Sequence, residues 1–518
     1  MSRTFAACAL TACALAIVPA SSQAQPLDLV TSRAQGRPPM TEVRVDPPVR
    51  FVTRHRLRIG AQTLDYVATA GETHLHNLAG EPTASIFAFS YVKSGPRDPR
   101  RPVMFVFNGG PGSSSLWLHM GAIGPRRVVL DQEVNPANVP PFGVADNPHS
   151  LLDVADLVFI DPVGTGFSRA IGAGRPEDFW GVDEDADSVA QFIELWLSEH
   201  GRWTSPKYLM GESYGSVRAA LLPRALMGGP TYVGVMRGLT VDGIVLLGTT
   251  LGGRPAGPDP ERQVMAAASD LSAQAATAWA HGRTAYQHLP LPAFQSQVDA
   301  FAQGPFAEAL RVQAQARLAA GAQAEMAQTL SGFTGLPTSA YAEGLAVPSA
   351  RFARTLLADQ GLALGLYDGR YTLPLEPQGN EPVADDPAMG RYVPGYVAAF
   401  HQMLHDHLKV DMKRPYGAIV WKDLLSRWNW DRAQVAPGQS FAVDLAVAMR
   451  RNPDLRVLVA SGAYDLVTTP AAARWQIEAA GLPAERVTFP DHPSGHMLYL
   501  GDTAQAFSDD VRALITGR

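Results

Sequence analysis

The 518-residue chain, 46% hydrophobic and 18% charged, is long enough for a large core and for more than one structural unit. Its net charge of −6, from 43 Lys+Arg against 49 Asp+Glu with no long basic run, argues against a nucleic-acid partner. The 47 glycines and 41 prolines favour a loop-rich enzyme over a helical bundle.

Residues 1–24 have the pattern of a signal peptide. Arg3 supplies the positive start, Phe5 to Val18 a short apolar stretch, Pro19 a break, and Ser22-Gln23-Ala24 small residues for cleavage before Gln25. The stretch is too short for a membrane span, and the pattern implies a secreted or periplasmic mature protein. Leu10-Thr11-Ala12-Cys13 also resembles a lipoprotein processing box, but it has little apolar sequence before it. Both cysteines, Cys8 and Cys13, lie in this segment, so its removal leaves no disulfide, zinc–thiolate or thiol chemistry.

Residues 25–50, rich in Pro, Arg and polar side chains, read as an extended arm. From Phe51 to Lys93 apolar residues alternate, as in Leu57/Ile59, Leu64/Tyr66/Ala68 and Ile86/Ala88, which predicts antiparallel strands at one edge of a sheet. Continuous apolar runs follow at Val103–Phe107, Val154–Ile160, Tyr208–Met210, Ile244–Leu247 and Val457–Ala460. Such runs suit central parallel strands buried on both faces. Between them Val189, Phe192, Ile193 and Trp196 keep helical spacing behind the acidic start Asp183-Glu184-Asp185. The alternation predicts an α/β fold with a mostly parallel sheet and helices on both faces. The rhythm breaks over 252–441, which is Ala- and Gln-rich and helical in pattern from Met265 to Ala327, then irregular. That region reads as an inserted, largely helical cap between core parts 51–251 and 442–518.

Three features carry chemistry. Asn108-Gly109-Gly110-Pro111-Gly112-Ser113-Ser114-Ser115 directly follows the run Val103–Phe107. A Gly-rich loop there lets backbone N–H groups approach a developing oxyanion, and it lacks the Lys and spacing of a phosphate loop. Gly211-Glu212-Ser213-Tyr214-Gly215 sits between a short strand and the helical run Val217 to Leu226. This is the strand–turn–helix setting of a nucleophile elbow, with Ser213 as nucleophile and the Tyr214 N–H as an oxyanion donor. The elbow order Ser, acid, His then requires an acid past a late strand, which Asp465 supplies, and a later histidine. Position alone leaves His492 and His496 both open.

These motifs resemble the serine carboxypeptidase family (peptidase family S10). The resemblance rests on Asn-Gly-Gly-Pro-Gly-Ser-Ser-Ser at 108–115, Asp161-Pro162-Val163-Gly164-Thr165-Gly166-Phe167-Ser168, Gly-Glu-Ser-Tyr-Gly at 211–215, Tyr464-Asp465 and Gly495-His496-Met497, in the family's order. It implies an α/β-hydrolase fold and a Ser213–Asp465–His496 triad, and it favours His496 over His492. It also implies an oxyanion hole from the Gly110 and Tyr214 N–H groups, and a clamp for the substrate's terminal carboxylate from Asn108, Gly109 and Glu212. A carboxyl there that shares a proton implies an acidic optimum.

The chain departs from the family pattern at three positions. Ala122 stands where a second carboxylate-binding Glu is usual, Val106 where a Trp is usual, and Ser113 where a Cys follows Gly-Gly-Pro-Gly. The resemblance therefore implies a serine-type carboxypeptidase acting on peptides without a cofactor, with an esterase or acyltransferase using the same triad as the alternative. A non-catalytic binding protein fits poorly with all three triad residue types in place. His401, His405 and His407 have metal-like spacing but no completing acid, and read as ordinary helix residues. Arg218 reads as an anchor of the elbow helix or a carboxylate ligand, and Tyr367-Asp368-Gly369-Arg370-Tyr371 as a turn that also suits a pocket mouth.

Overall fold

A computed structural model describes residues 45–132, 134–229, 232–253 and 257–517. The expected signal peptide, both cysteines and the arm up to residue 44 lie outside the described residues. The alternating segment after residue 50 forms three antiparallel strands, β1 (Arg50–Ile59), β2 (Gln62–His76) and β3 (Pro82–Lys93). The apolar runs become β4 (Val103–Phe107), β5 (Asp156–Ile160), β6 (Lys207–Glu212), β7 (Gly243–Leu247) and β8 (Arg456–Gly462), and β9 (Val487–Thr488) closes the edge. The sheet order is β1-β2-β3-β5-β4-β6-β7-β8-β9. Every pairing from β5 through β9 is parallel, and β3 pairs β5 antiparallel.

The unbroken apolar runs are explained by burial on two sides. Along β4, Met104 and Val106 face one core, while Val103, Phe105 and Phe107 face the other. The second core is covered by α1 (Val182–His200) and α2 (Tyr214–Met227). Asp183, Glu184 and Asp185 sit in the first turn of α1, and Gly201 ends it in the left-handed conformation. The first core receives a long helix of the insertion, Pro387–Asp406, and the last helix, Thr503–Thr516. A mostly parallel sheet with helices on both faces, crossed in this order, is the α/β-hydrolase fold.

Residues 252–441 include two helices, Pro260–Ala280 and Leu291–Phe301, around a third apolar core of their own. Ala463, Tyr464 and Leu466 belong to that third core, so the insertion packs around the loop that carries Asp465. Register brings the decisive loops to one edge. Phe107 pairs Gly211, Glu212 pairs Leu247 and Leu247 pairs Ala460, so the chain leaves β4, β6, β7 and β8 side by side at their carboxyl ends.

Candidate active site

Ser213 follows β6 directly and has φ 60° and ψ −127°, a left-handed conformation in a residue with a Cβ. Holding it costs of order 1–3 kcal/mol and requires support from the surroundings. That support is visible: Ser213 N donates to Leu247 O at 2.9 Å, and Ser216 Oγ donates to Ser213 O at 2.6 Å. The elbow glycines have no room for side chains, since a Cβ on Gly211 would meet Gly215 O at 2.0 Å. Helix α2 begins at Tyr214, earlier than the apolar run Val217 to Leu226 indicated, because the elbow turns straight into the helix. Its N-terminal N–H groups therefore lie beside the Ser213 hydroxyl, where negative charge is favoured.

The Asn108 loop packs onto this elbow. A Cβ on Gly109 would come within 2.4 Å of Tyr214 N and 2.6 Å of Glu212 O. The two predicted oxyanion donors, on Gly110 and Tyr214, thus belong to backbones in close contact, and any side chain at 109 would separate them. The loop is held from behind. Ser113 N donates to Gly109 O, Ser114 N to Ala418 O and Val420 N to Gly112 O. The Asp161 loop is the buttress: Asp161 Oδ1 accepts from Ser115 N at 2.9 Å and from the Tyr416 hydroxyl at 3.1 Å. Arg218 proves to be an anchor rather than a ligand. It is 1% exposed, pairs Asp185 at 2.7 Å, and donates to the Asn108 carbonyl at 2.7 Å. The conformation of Asn108 is thus tied to α1 and α2.

Asp465 and His496 meet as expected. His496 Nδ1 lies 2.7 Å from Asp465 Oδ2. Asp465 is fully buried, and its other contacts are all donors: Val467 N and Thr468 N on Oδ1, and Thr468 Oγ1 on Oδ2 at 2.6 Å. An imidazole whose Nδ1 faces a carboxylate carries its proton there and leaves Nε2 as the acceptor. Burial pulls the His496 pKa down, but the charge and hydrogen bond of Asp465, together with the Glu212 and Asp386 charges, outweigh this, and the net shift is upward. His492, the rival by position, faces Asp510 of the last helix at 3.0 Å instead.

Three site contacts escaped the sequence reading. Gly248, just past β7, lies against the imidazole, and a Cβ there would sit 2.6 Å from His496 Cε1. Since Ser213 N is bonded to Leu247 O, two consecutive residues, 247 and 248, lie against the serine backbone and the histidine ring. Thr468 braces both Asp465 and His496, with its Oγ1 3.0 Å from His496 Nδ1. An Asp followed three residues later by Thr was the available signal for it. In the segment Tyr367-Asp368-Gly369-Arg370-Tyr371, read as a turn that also suits a pocket mouth, the unforeseen contact is with the triad: Tyr367 O accepts from His496 N at 2.7 Å, and its ring stands edge-on to the imidazole. His401, His405 and His407 join no metal-binding group, and none occurs among the described residues.

Glu212 is buried beside the serine. Its Oε2 accepts from the Tyr499 hydroxyl at 2.8 Å, and the Asn108 side chain is a neighbour of its carboxyl. Burial lifts its pKa from 4.5 to about 7 against the opposing pull of His496 and these two side chains. A carboxyl of this kind holds its proton through the acidic range and can donate it to an anion. Asn108 Oδ1 accepts from Leu118 N at 3.0 Å, which fixes the orientation of that side chain.

Residues 72–229 match the profile of a family described as serine carboxypeptidases. The match covers the Asn108 loop, the Asp161 loop and the elbow, and stops before Asp465 and His496. Serine carboxypeptidase-like 8 of Arabidopsis thaliana is 32% identical over 152 residues, which is 29% of this chain and 34% of that protein. Pheromone-processing carboxypeptidase KEX1 of Leptosphaeria maculans is 30% identical over 149 residues, 28% of this chain and 21% of that protein. The chain thus spans about a third or less of the length of these two relatives. Among solved structures, a proline iminopeptidase of Mycobacterium smegmatis aligns over 90% of this chain and 99% of its own, at 13% identity and a TM-score of 0.34. That likeness adds nothing to the fold read from the sheet order.

Proposed function

We propose that this chain, whose residues 72–229 match the serine carboxypeptidase profile, is a serine-type carboxypeptidase that removes C-terminal residues from peptides through an acyl-enzyme on Ser213. The observation that carries the reading is the buried Glu212 carboxyl, next to the nucleophile in the elbow and bonded by the Tyr499 hydroxyl. In this mechanism Ser213 Oγ attacks the last peptide carbonyl while His496 Nε2 takes its proton. The Gly110 and Tyr214 N–H groups hold the oxyanion, worth about 3 kcal/mol per donor. His496 then protonates the leaving amine, and water attacks the acyl-enzyme by the reverse route. Asp465 keeps the imidazole in the productive tautomer and stabilises its cation. Asn108, Gly109 and protonated Glu212 take the substrate's terminal carboxylate.

The proposal includes an optimum on the acidic side, limited from above by loss of the Glu212 proton and from below by protonation of His496, whose pKa is raised. Below about pH 7 Glu212 is protonated and donates to the carboxylate; above it, two anions repel and KM rises. The test compares an N-blocked dipeptide with its C-terminal amide. At pH 5 the acid is expected to have a kcat/KM roughly 100-fold above the amide, a preference that collapses as pH passes through 7. Equal rates at every pH defeat this reading. They favour the second one, an esterase or acyltransferase on the same triad, for which Ala122 in place of a second acid is the supporting observation.

The proposal also places the enzyme outside the cytoplasm, secreted or periplasmic, after loss of the leader read at residues 1–24. Among the described residues no helix is long and apolar enough to cross a membrane. Mass spectrometry of the exported protein is expected to find Gln25 as the first residue. A full-length chain in the cytoplasm, or one beginning with a lipid-bearing Cys13, contradicts this.

A further inference from the structure

Glu212 faces phenols where the family resemblance leads one to expect a second acid. Tyr499, three residues past His496, is fully buried and donates to Glu212 Oε2 at 2.8 Å. Its ring fills the space beside the Ala122 turn: a Cβ on the neighbouring Gly121 would lie 2.4 Å from Tyr499 Cδ2 and 2.4 Å from the Tyr396 hydroxyl. Tyr371, Tyr392 and Tyr396 are buried in the same cluster as Tyr499, with Tyr392 packed edge-on against both of the others. The absence of a side chain at 121, next to Ala122, and the presence of a tyrosine at 499 are therefore one packing arrangement.

We infer that Tyr499 is a positioning residue that replaces the absent second acid, holding Oε2 of Glu212 so that Oε1 carries the proton offered to the substrate's carboxylate. This rests on the reading of Glu212 as the carboxylate clamp. A phenol differs from an acid in what it does to that proton. Two carboxyls at hydrogen-bond distance share one proton and titrate as a pair. A buried phenol stays neutral across the working range, so Glu212 titrates singly. The charged and titratable groups acting on Glu212 are His496 and Asp465 on the triad side, and Tyr499, Tyr396, Tyr392 and Tyr367 around it. His496 is the cation in that set, and a hydrogen bond from Tyr499 favours the ionised carboxylate. Removing the hydroxyl therefore lets Glu212 keep its proton to higher pH.

The experiment measures KM and kcat against pH for wild type, Tyr499→Phe and Glu212→Gln, using an N-blocked dipeptide and its C-terminal amide. In Tyr499→Phe the alkaline rise in KM for the acid is expected to move up by about one pH unit. KM for the amide and kcat for both substrates should stay within about threefold. In Glu212→Gln the rise is absent. An unmoved rise in a folded Tyr499→Phe enzyme, or equal changes for acid and amide, overturns the role of the hydroxyl. Should the Phe variant not fold, site-specific 3-fluorotyrosine at 499 keeps the ring and strengthens the donor while the buried phenol stays neutral. The rise must then move to lower pH, and no movement overturns the proposal. Failure of the underlying reading looks different: wild type itself shows no preference for the acid, or Glu212→Gln retains the rise.

Discussion

Ser213→Ala is expected to lower kcat for peptide hydrolysis by about a million-fold, to the residual rate that oxyanion donors and binding supply without a nucleophile. Few substitutions isolate chemistry from folding so well at this position. The contacts that hold the elbow use the Ser213 backbone: its N–H on Leu247 O, and its carbonyl under Ser216 Oγ. Alanine carries the same Cβ into the same left-handed conformation, so the strain of the turn is unchanged. The variant should therefore unfold within ~3 °C of wild type. It should keep its affinity for a free-carboxylate product, because Asn108 and Glu212 are untouched. A fluorophosphonate probe should label wild type once, at Ser213, and leave the variant unlabelled. Activity within tenfold of wild type would sink the assignment and move the search to another nucleophile.

How far the sequence disclosed this site depends on the range of each contact. Pattern was sufficient where one segment carries its own signal. The run Val103–Phe107 is β4 to the residue, because a strand buried on both faces shows as an unbroken apolar block bounded by the polar loop that follows. Boundaries moved where a neighbour decides them. Val154 and Ala155 belong to the turn before β5, since Ala155 N already bonds back to Leu151 O. The run at Tyr208–Met210 extends to Glu212 because β7 pairs with it that far.

What stayed hidden joins distant parts of the chain. Gly248 carries no motif, and its requirement comes from an imidazole about half the chain away. Tyr499 lies 287 residues from the carboxyl it bonds. Ala122 could be read as a loss from the sequence, but not that an aromatic ring occupies the space next to it. The choice between His492 and His496 is of the same kind: the two lie in one short loop, and only their partners, Asp510 and Asp465, separate them.

Asp465→Asn is the second large effect, expected to cut kcat by about 10,000-fold with KM for a free-carboxylate dipeptide nearly unchanged. The amide keeps one oxygen, which can still accept from Val467 N and Thr468 N. Its NH2 then replaces the oxygen that now faces Thr468 Oγ1 and His496 Nδ1. A donor placed against Nδ1 requires that nitrogen to be the acceptor, so the ring proton moves to Nε2. An Nε2–H cannot take the proton of Ser213, and the enzyme is held in the wrong tautomer with its geometry intact. The Thr468 hydroxyl can rotate to accept from the new amide, which limits the stability loss to about 1–3 kcal/mol. The pH profile adds a check that a merely destabilised protein does not reproduce. Asp465 is the main force raising the His496 pKa against burial; without its charge the pKa falls, and the acidic limb of kcat moves to lower pH. A kcat within tenfold of wild type, or an acidic limb that does not move down, is incompatible with Asp465 as the partner of His496.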